Sequence, residues 1–462
     1  MIELTRTLLR QFRAVVRKSV LAAETHRPPP VIVCRAGRQG LTLSCKYGKM
    51  GLRHHTPGSF PADSVALPFS ELTKLQNAGT VIALEQTASF KAKANWQAND
   101  GPEFLEFDTA EPSSLPAAPE PVRNATHLEA GFLQALDDAA RTASRDKGRY
   151  ACNLILLRGE DGAVIGTDGR HLLVQKGFAL PWKEEQFLPA LPVYGGRELP
   201  RDQIIKLGLT SERITMEVGP WLFAFKVEKD IRFPNVDQVI PRTRAALTHL
   251  YLDARDIEEL IQQLSKLPGD DDSHQPVTLD MSNAIVLRCR CEKEEVVEVP
   301  LVHARREGPL LQLVTDRRYL LRALKLGFTE VVIAGADHPL LCKDARRTYL
   351  WMPLPESDAV PATAVTQTDP VRVSRPTPVT HPETPTRNTN MPANEPRSNS
   401  EHPNGNADHG EPLDPIREAE ELRALVQATL TRTNRLIAAL GQQRKQSRMV
   451  ESALASLRRL QG

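Results

Sequence analysis

Three short segments of one pattern constrain this chain more than any other feature. LPFSELTKL (67–75), LPRDQIIKL (199–207) and VTDRRYLLRAL (314–324) each read as a strand-like entry into a short helix, and an amphipathic helix precedes each, near residues 5–22, 127–143 and 253–266. The copies stand more than a hundred residues apart, too far for solenoid units. Each is therefore expected to be a domain in its own right, with no sheet running from one into the next. Alternating, β-branched stretches supply the strands: VIVCRA and GLTLSCKYG early, LILLRG, GAVIGTD and RITMEVG in the middle, AIVLRCRC and EVVIAG late. The expected class is α+β, with three tandem domains over 1–120, 125–243 and 246–356.

Composition changes sharply near residue 357. From Ser357 to Pro412 there is no Leu, Ile, Phe, Tyr or Trp, and 10 of the chain's 36 prolines fall there. Such a stretch cannot bury enough apolar surface to offset its ordering entropy, so 357–412 reads as a disordered linker. Asp414-Pro415 then supplies an N-cap and a first-turn proline, and no further proline occurs to Gly462. A long helix over 414–461 follows. Its apolar positions, among them Leu422, Val426, Leu436, Leu440, Val450, Leu454 and Leu457, fit a heptad seam interrupted by Thr429, Thr433, Gln443 and Ser447. That pattern serves a coiled coil or a solitary amphipathic helix folded onto the body.

Several chemistries find no support. The 462 residues hold no apolar run near the ~18 that a membrane helix needs, and MIELTRTLLRQF carries arginines where a signal peptide would be apolar. A cytoplasmic protein without a membrane partner is expected. The six cysteines form no CxxC pair, and Cys289-Arg-Cys291 reads as alternate residues of one strand. Asp270–Asp272 reads as a loop tip and not as a metal site. Without a phosphate loop, HExxH or GxSxG, no enzyme, cofactor or metal is expected.

Lys plus Arg number 59 against 57 acids, so nucleic-acid binding would need a local basic face. Helix 5–20 provides one: at about 100° per residue, Arg6, Arg10, Arg13 and Arg17 lie within about 60° of each other, away from the arc of Leu8, Leu9, Phe12, Val15 and Val16. Such a line can follow a phosphate backbone without reading bases. Helices 127–143 and 253–266 carry acids instead (Glu129, Asp137 and Asp138; Asp253, Asp256, Glu258 and Glu259), which would repel phosphate if they faced it.

YACNLILLRGEDGAVIGTDGRHLLV (150–174), KDIRFPNVDQVIP (229–241) and YLLRAL…TYLWMPL (319–354) resemble, in order and spacing, the bacterial beta sliding clamp, the processivity ring of DNA polymerase III. The resemblance covers essentially 1–356. It implies clamp-like domains with helices inside and antiparallel sheets outside, paired head to tail in a homodimeric ring around duplex DNA, and adds Arg27 to the DNA-facing set. It further implies a pocket for short linear motifs of DNA polymerase and clamp-loader subunits, built from Cys152, Thr167, Gly169, Arg170, His171, Leu172, Pro241, Met352, Pro353 and Leu354. In the family the edge strand of the first domain, here GPEFLEFDT with Leu105 and Phe107 on one face, meets the last domain of the neighbouring chain. Arg170-His171 inverts the family's usual order, Cys152 replaces a usual leucine, and the tail beyond Pro353 is additional. The implied function is a DNA sliding clamp. The alternative is a clamp-like scaffold that no longer encircles DNA and gathers partners through its C-terminal helix.

Overall fold

Alternation of buried and exposed residues builds most of the structure, a computed structural model that describes residues 1–23, 28–145, 150–241, 247–264, 266, 274–290 and 296–361. Leu41, Leu43 and Cys45 face a core while Lys46 and Thr42 point away, and the strands of the middle and last segments repeat the pattern. The expectations for Arg27, Asp270–Asp272, Cys291, the linker beyond 361 and the helix over 414–461 fall outside the described residues. All described residues belong to one compact unit. Among them no helix is long and apolar enough to cross a membrane.

Among the described residues four antiparallel sheets result, and two of them run across the boundaries between the copies. The first and middle segments share an eight-stranded sheet through the pairing of Met50–Thr56 with Trp221–Lys226. The middle and last share a nine-stranded sheet through His171–Gln175 and Arg347–Trp351. This corrects the expectation that no sheet would pass from one copy into the next. Edge strands carry unpaired amides and carbonyls, and pairing them across each junction removes that cost. The remaining two sheets have four strands each. One ends in Gly101–Asp108, the other in Val296–Pro300.

The core crosses the first junction as well. Phe12, on the helix Arg6–Lys18, stacks on Trp221 with ring centroids 5.8 Å apart, and Lys18 Nζ lies 2.8 Å from Glu198 Oε2. A second core belongs to the last segment, and a third, smaller cluster around Leu156, Ile165, Leu172 and Leu350 lies on the other face of the nine-stranded sheet.

Two of the three repeated segments form the expected second helix, Phe69–Leu75 and Arg317–Lys325. The middle one does not. Ile205–Leu209 is a strand between Thr126–Leu128 and Arg213–Val218, and the place beside helix Gly131–Thr142 is taken by a 3-10 turn, Pro192–Gly195. Ile205 and Leu207 are fully buried while Lys206 is exposed, so period-two burial prevails over the helical pattern, and Ile204 is left 63% exposed. The predicted linker also begins late: Val360 is buried and its N–H donates to Thr278 Oγ1 at 2.7 Å.

Candidate functional site

Helix Arg6–Lys18 begins at Thr5, whose hydroxyl accepts from the Leu8 N–H, and it ends on Arg17 and Lys18, which complement the helix dipole. Leu9, Phe12, Val15 and Val16 are fully buried, which turns the arginine line outward. Arg10 and Arg17 are exposed, Arg6 and Arg13 half-buried. Two of the four are held against the neighbouring helix: Arg10 Nε donates to the Gln76 carbonyl at 3.0 Å, and Arg13 Nε to Thr73 Oγ1 at 3.3 Å. The line is thus partly pre-ordered.

Three of the seven acids on the other two helices turn inward. Asp137 is buried against Arg141 at 3.0 Å, and Asp138 against Arg322 at 2.9 Å. Asp256 is 3% exposed and accepts from the His303 N–H at 3.0 Å. Glu129, Glu258 and Glu259 remain exposed, and Asp253 is half-buried beside Arg255 at 2.9 Å.

At the second junction the turn Thr167-Asp168-Gly169-Arg170-His171 is organised by one carboxylate. Asp168 Oδ1 accepts from the N–H groups of Arg170 and His171 at 2.8 and 2.9 Å, while Oδ2 accepts from the Tyr319 hydroxyl at 3.1 Å. Gly169 sits at φ 91°, where a side chain would be strained. The Thr167 hydroxyl donates to the His171 carbonyl at 2.6 Å. Neighbouring Gly166 lets helix Gly131–Thr142 close on the sheet: a Cβ there would lie 2.3 Å from the Ala139 carbonyl oxygen.

Across the sheet, Thr167 pairs with Leu172 and Leu172 with Leu350, so these side chains form one row on the face of the third cluster. Met352 stands two residues beyond Leu350, its N–H bonded to the Arg170 carbonyl at 3.1 Å, and is 42% exposed. Leu172 is the floor, 3% exposed. Pro241 and Pro353 are half-buried, as is Leu354, whose N–H donates to the Val314 carbonyl. Cys152 is buried, and burial together with the Asp168 charge raises its thiol pKa.

His171 departs from the expected set. Strand neighbours point to opposite faces, so it lies behind Leu172, in contact with Tyr319 at 4.5 Å and bonded through Nδ1 to the Tyr349 hydroxyl at 2.9 Å. Burial pushes its pKa down to about 4. Arg170, the exposed member of the inverted pair, reaches His274 at 3.3 Å.

Leu105 and Phe107 share one face of their strand, as the alternation predicts. Both turn into the core of their own sheet, Phe107 buried and Leu105 half-buried, while Phe104 on the opposite face is 61% exposed. What the strand offers a neighbour is its backbone edge and Phe104. Sequence reasoning missed Leu350, Asp168, Tyr319 and Arg322; of these, Leu350 alone carried a signal, the alternation TYLWM.

No protein-family model matches the chain. No curated protein matches it in sequence either. Solved structures do match in shape. A DNA polymerase sliding clamp from Bacillus subtilis aligns with a TM-score of 0.64 at 15% identity, covering 76% of this chain and 98% of that one. The chain has the bacterial sliding-clamp fold. The DNA polymerase III subunit beta from Pseudomonas aeruginosa aligns at 0.60 and 17% identity over 77% and 99% of the two chains. That from Borrelia burgdorferi, in complex with a natural product, aligns at 0.62 and 11% over 76% and 97%. Within the clamp fold, the arginine line, the row from Thr167 to Leu350 and the two end strands occupy three separate places, each with its own chemistry.

Proposed function

We propose that residues 1–356, as three clamp domains per chain, act as a DNA sliding clamp: a homodimeric, non-enzymatic ring on duplex DNA that tethers DNA polymerase and exchanges it with clamp-loader and repair proteins. One observation carries the reading. Both internal junctions are closed by edge-to-edge strand pairing, and the two sheets of four strands end in the edge strands Gly101–Asp108 and Val296–Pro300. Pairing those edges between two copies, head to tail, would make sheets of the size found inside the chain and remove both unpaired edges. The outward arginine line supports a phosphate-facing surface that holds DNA without reading its sequence. A cytoplasmic, nucleoid-associated protein follows from this role.

Retention on nicked circular DNA, followed by release when the circle is linearised, tests the proposal. A topologically linked ring stays on the circle at a salt concentration that removes it from the linear form. Equal retention on both forms overturns encirclement and leaves the scaffold reading.

A further inference from the structure

At the outer face of the first junction a groove remains where the corresponding face at the second is filled. At the second junction the connecting chain lays Ile231, Phe233, Val236 and Ile240 over Leu156, Ile165 and Leu172, with the Phe233 ring tilted against Phe187 at a centroid distance of 5.8 Å. At the first, the floor is formed by residues with little side chain. Gly51 and Ala224 pair across the two strands, and Pro119 of the connecting chain is the group that covers them, its Cγ 3.4 Å from where a Gly51 Cβ would stand. A groove of about 970 Å³ remains beside it.

The rim of that groove is basic. Lys46, Lys49, Arg213, Lys226 and Lys229 line it against two carboxylates, Glu212 and Glu228. Glu228 is already engaged by Lys49 at 2.7 Å. The aromatic residue of the lining, Phe225, is 2% exposed and belongs to the core, so no ring offers a nucleobase a face on which to stack. An apolar floor with a positive rim is complementary to an extended acidic peptide that carries an apolar anchor, as Phe233 and Val236 anchor the connecting chain at the second junction.

We propose that the first-junction groove docks an acidic, extended segment of a partner protein through one apolar anchor, independently of the Leu172–Met352 pocket and of ring closure. Lys46, Lys226 and Arg213 steer and hold the acidic flanks, and the groove beside Pro119 takes the anchor.

The test uses the full chain and an array of fluorescein-labelled acidic decapeptides in which one Leu or Phe is walked through every position. Lys-for-acid versions and an oligo-dT of similar length serve as controls. Fluorescence anisotropy should show acidic members binding, with salt dependence, and the Lys versions failing to bind. The double variant Lys46→Glu/Lys226→Glu, at two exposed positions, should weaken binding at least about tenfold with an unchanged melting curve. Ala224→Leu, which enlarges a side chain lining the groove, should do the same. Absence of binding to every acidic member, equal binding of the Lys versions, displacement by oligo-dT, or indifference to the Lys46→Glu/Lys226→Glu change would each overturn the proposal.

Discussion

Arg322 Nη2 lies 2.9 Å from Oδ1 and from the backbone carbonyl of Asp138, and so ties a helix of the last segment to one of the middle segment through a pair that water scarcely reaches. Removing one member strands the other. Arg322→Met should cost about 3 kcal/mol in urea unfolding, and Arg322→Met/Asp138→Leu should recover most of that loss. Wild-type stability in the single variant would mean that the pair does not hold the junction.

Acid should loosen the fold at both junctions. His54 and His171 are each pushed down to about 4 from 6.5, chiefly by burial. Below 6.5 the unfolded chain binds protons that the folded chain refuses, so stability falls as pH drops from about 6.5 to 4. His171 faces Asp168, Asp316, Arg322, Tyr319 and Tyr349. Denaturation midpoints measured across that window should fall more gently in His171→Gln than in the parent. An unchanged slope would remove His171 as a contributor.

Edge pairing separates interface from core on a single strand. Phe104→Glu, at an exposed site beside Lys93, should shift sedimentation from dimer toward monomer and leave the melting temperature unchanged. Phe107→Asp, in the core, should instead destabilise the chain by more than about 3 kcal/mol. A parent that sediments as a monomer at micromolar concentration would remove the dimer.

The pocket has the same logic. Met352→Asp should stay folded and lose a Leu- and Phe-bearing peptide, because Met352 is 42% exposed, whereas Leu172→Asp should unfold the chain. One apolar side chain burying about 100–200 Å² there would contribute roughly 2–4 kcal/mol, an exchangeable grip. Full peptide binding by Met352→Asp counts against the site.

Charge reversal at Arg6, Arg10, Arg13 and Arg17 should abolish association with duplex DNA at low salt and leave folding intact, since the apolar arc of that helix is untouched. Reversing Arg10 and Arg17 alone should flatten the dependence of binding on salt, read as the slope of log affinity against log salt. Binding that survives all four changes would place the DNA elsewhere.

Local periodicity carried much of this fold. The strands, the first helices of all three segments and the arginine line follow from alternation or helical spacing that any single segment displays. Where two periods competed, as in LPRDQIIKL, the segment alone could not settle the outcome, because Ile205 and Leu207 satisfy both. A waiting pair of strand edges decided it.

What the sequence determined by itself was the set of faces: which side of each strand or helix is apolar, and where charge collects. The tertiary structure decided which faces meet. Asp138 reads as an acid on a lining helix, and it is a buried partner of Arg322 because two helices 184 residues apart pack together. His171 reads as a pocket rim, and it is a core group because the strand pairing with Arg347–Trp351 turns it toward Tyr349. Leu105 and Phe107 share a strand face, and the structure turns that face toward the core of its own sheet. Pairings of this kind depend on the free energy of distant surfaces brought together, and no local stretch of sequence contains that term.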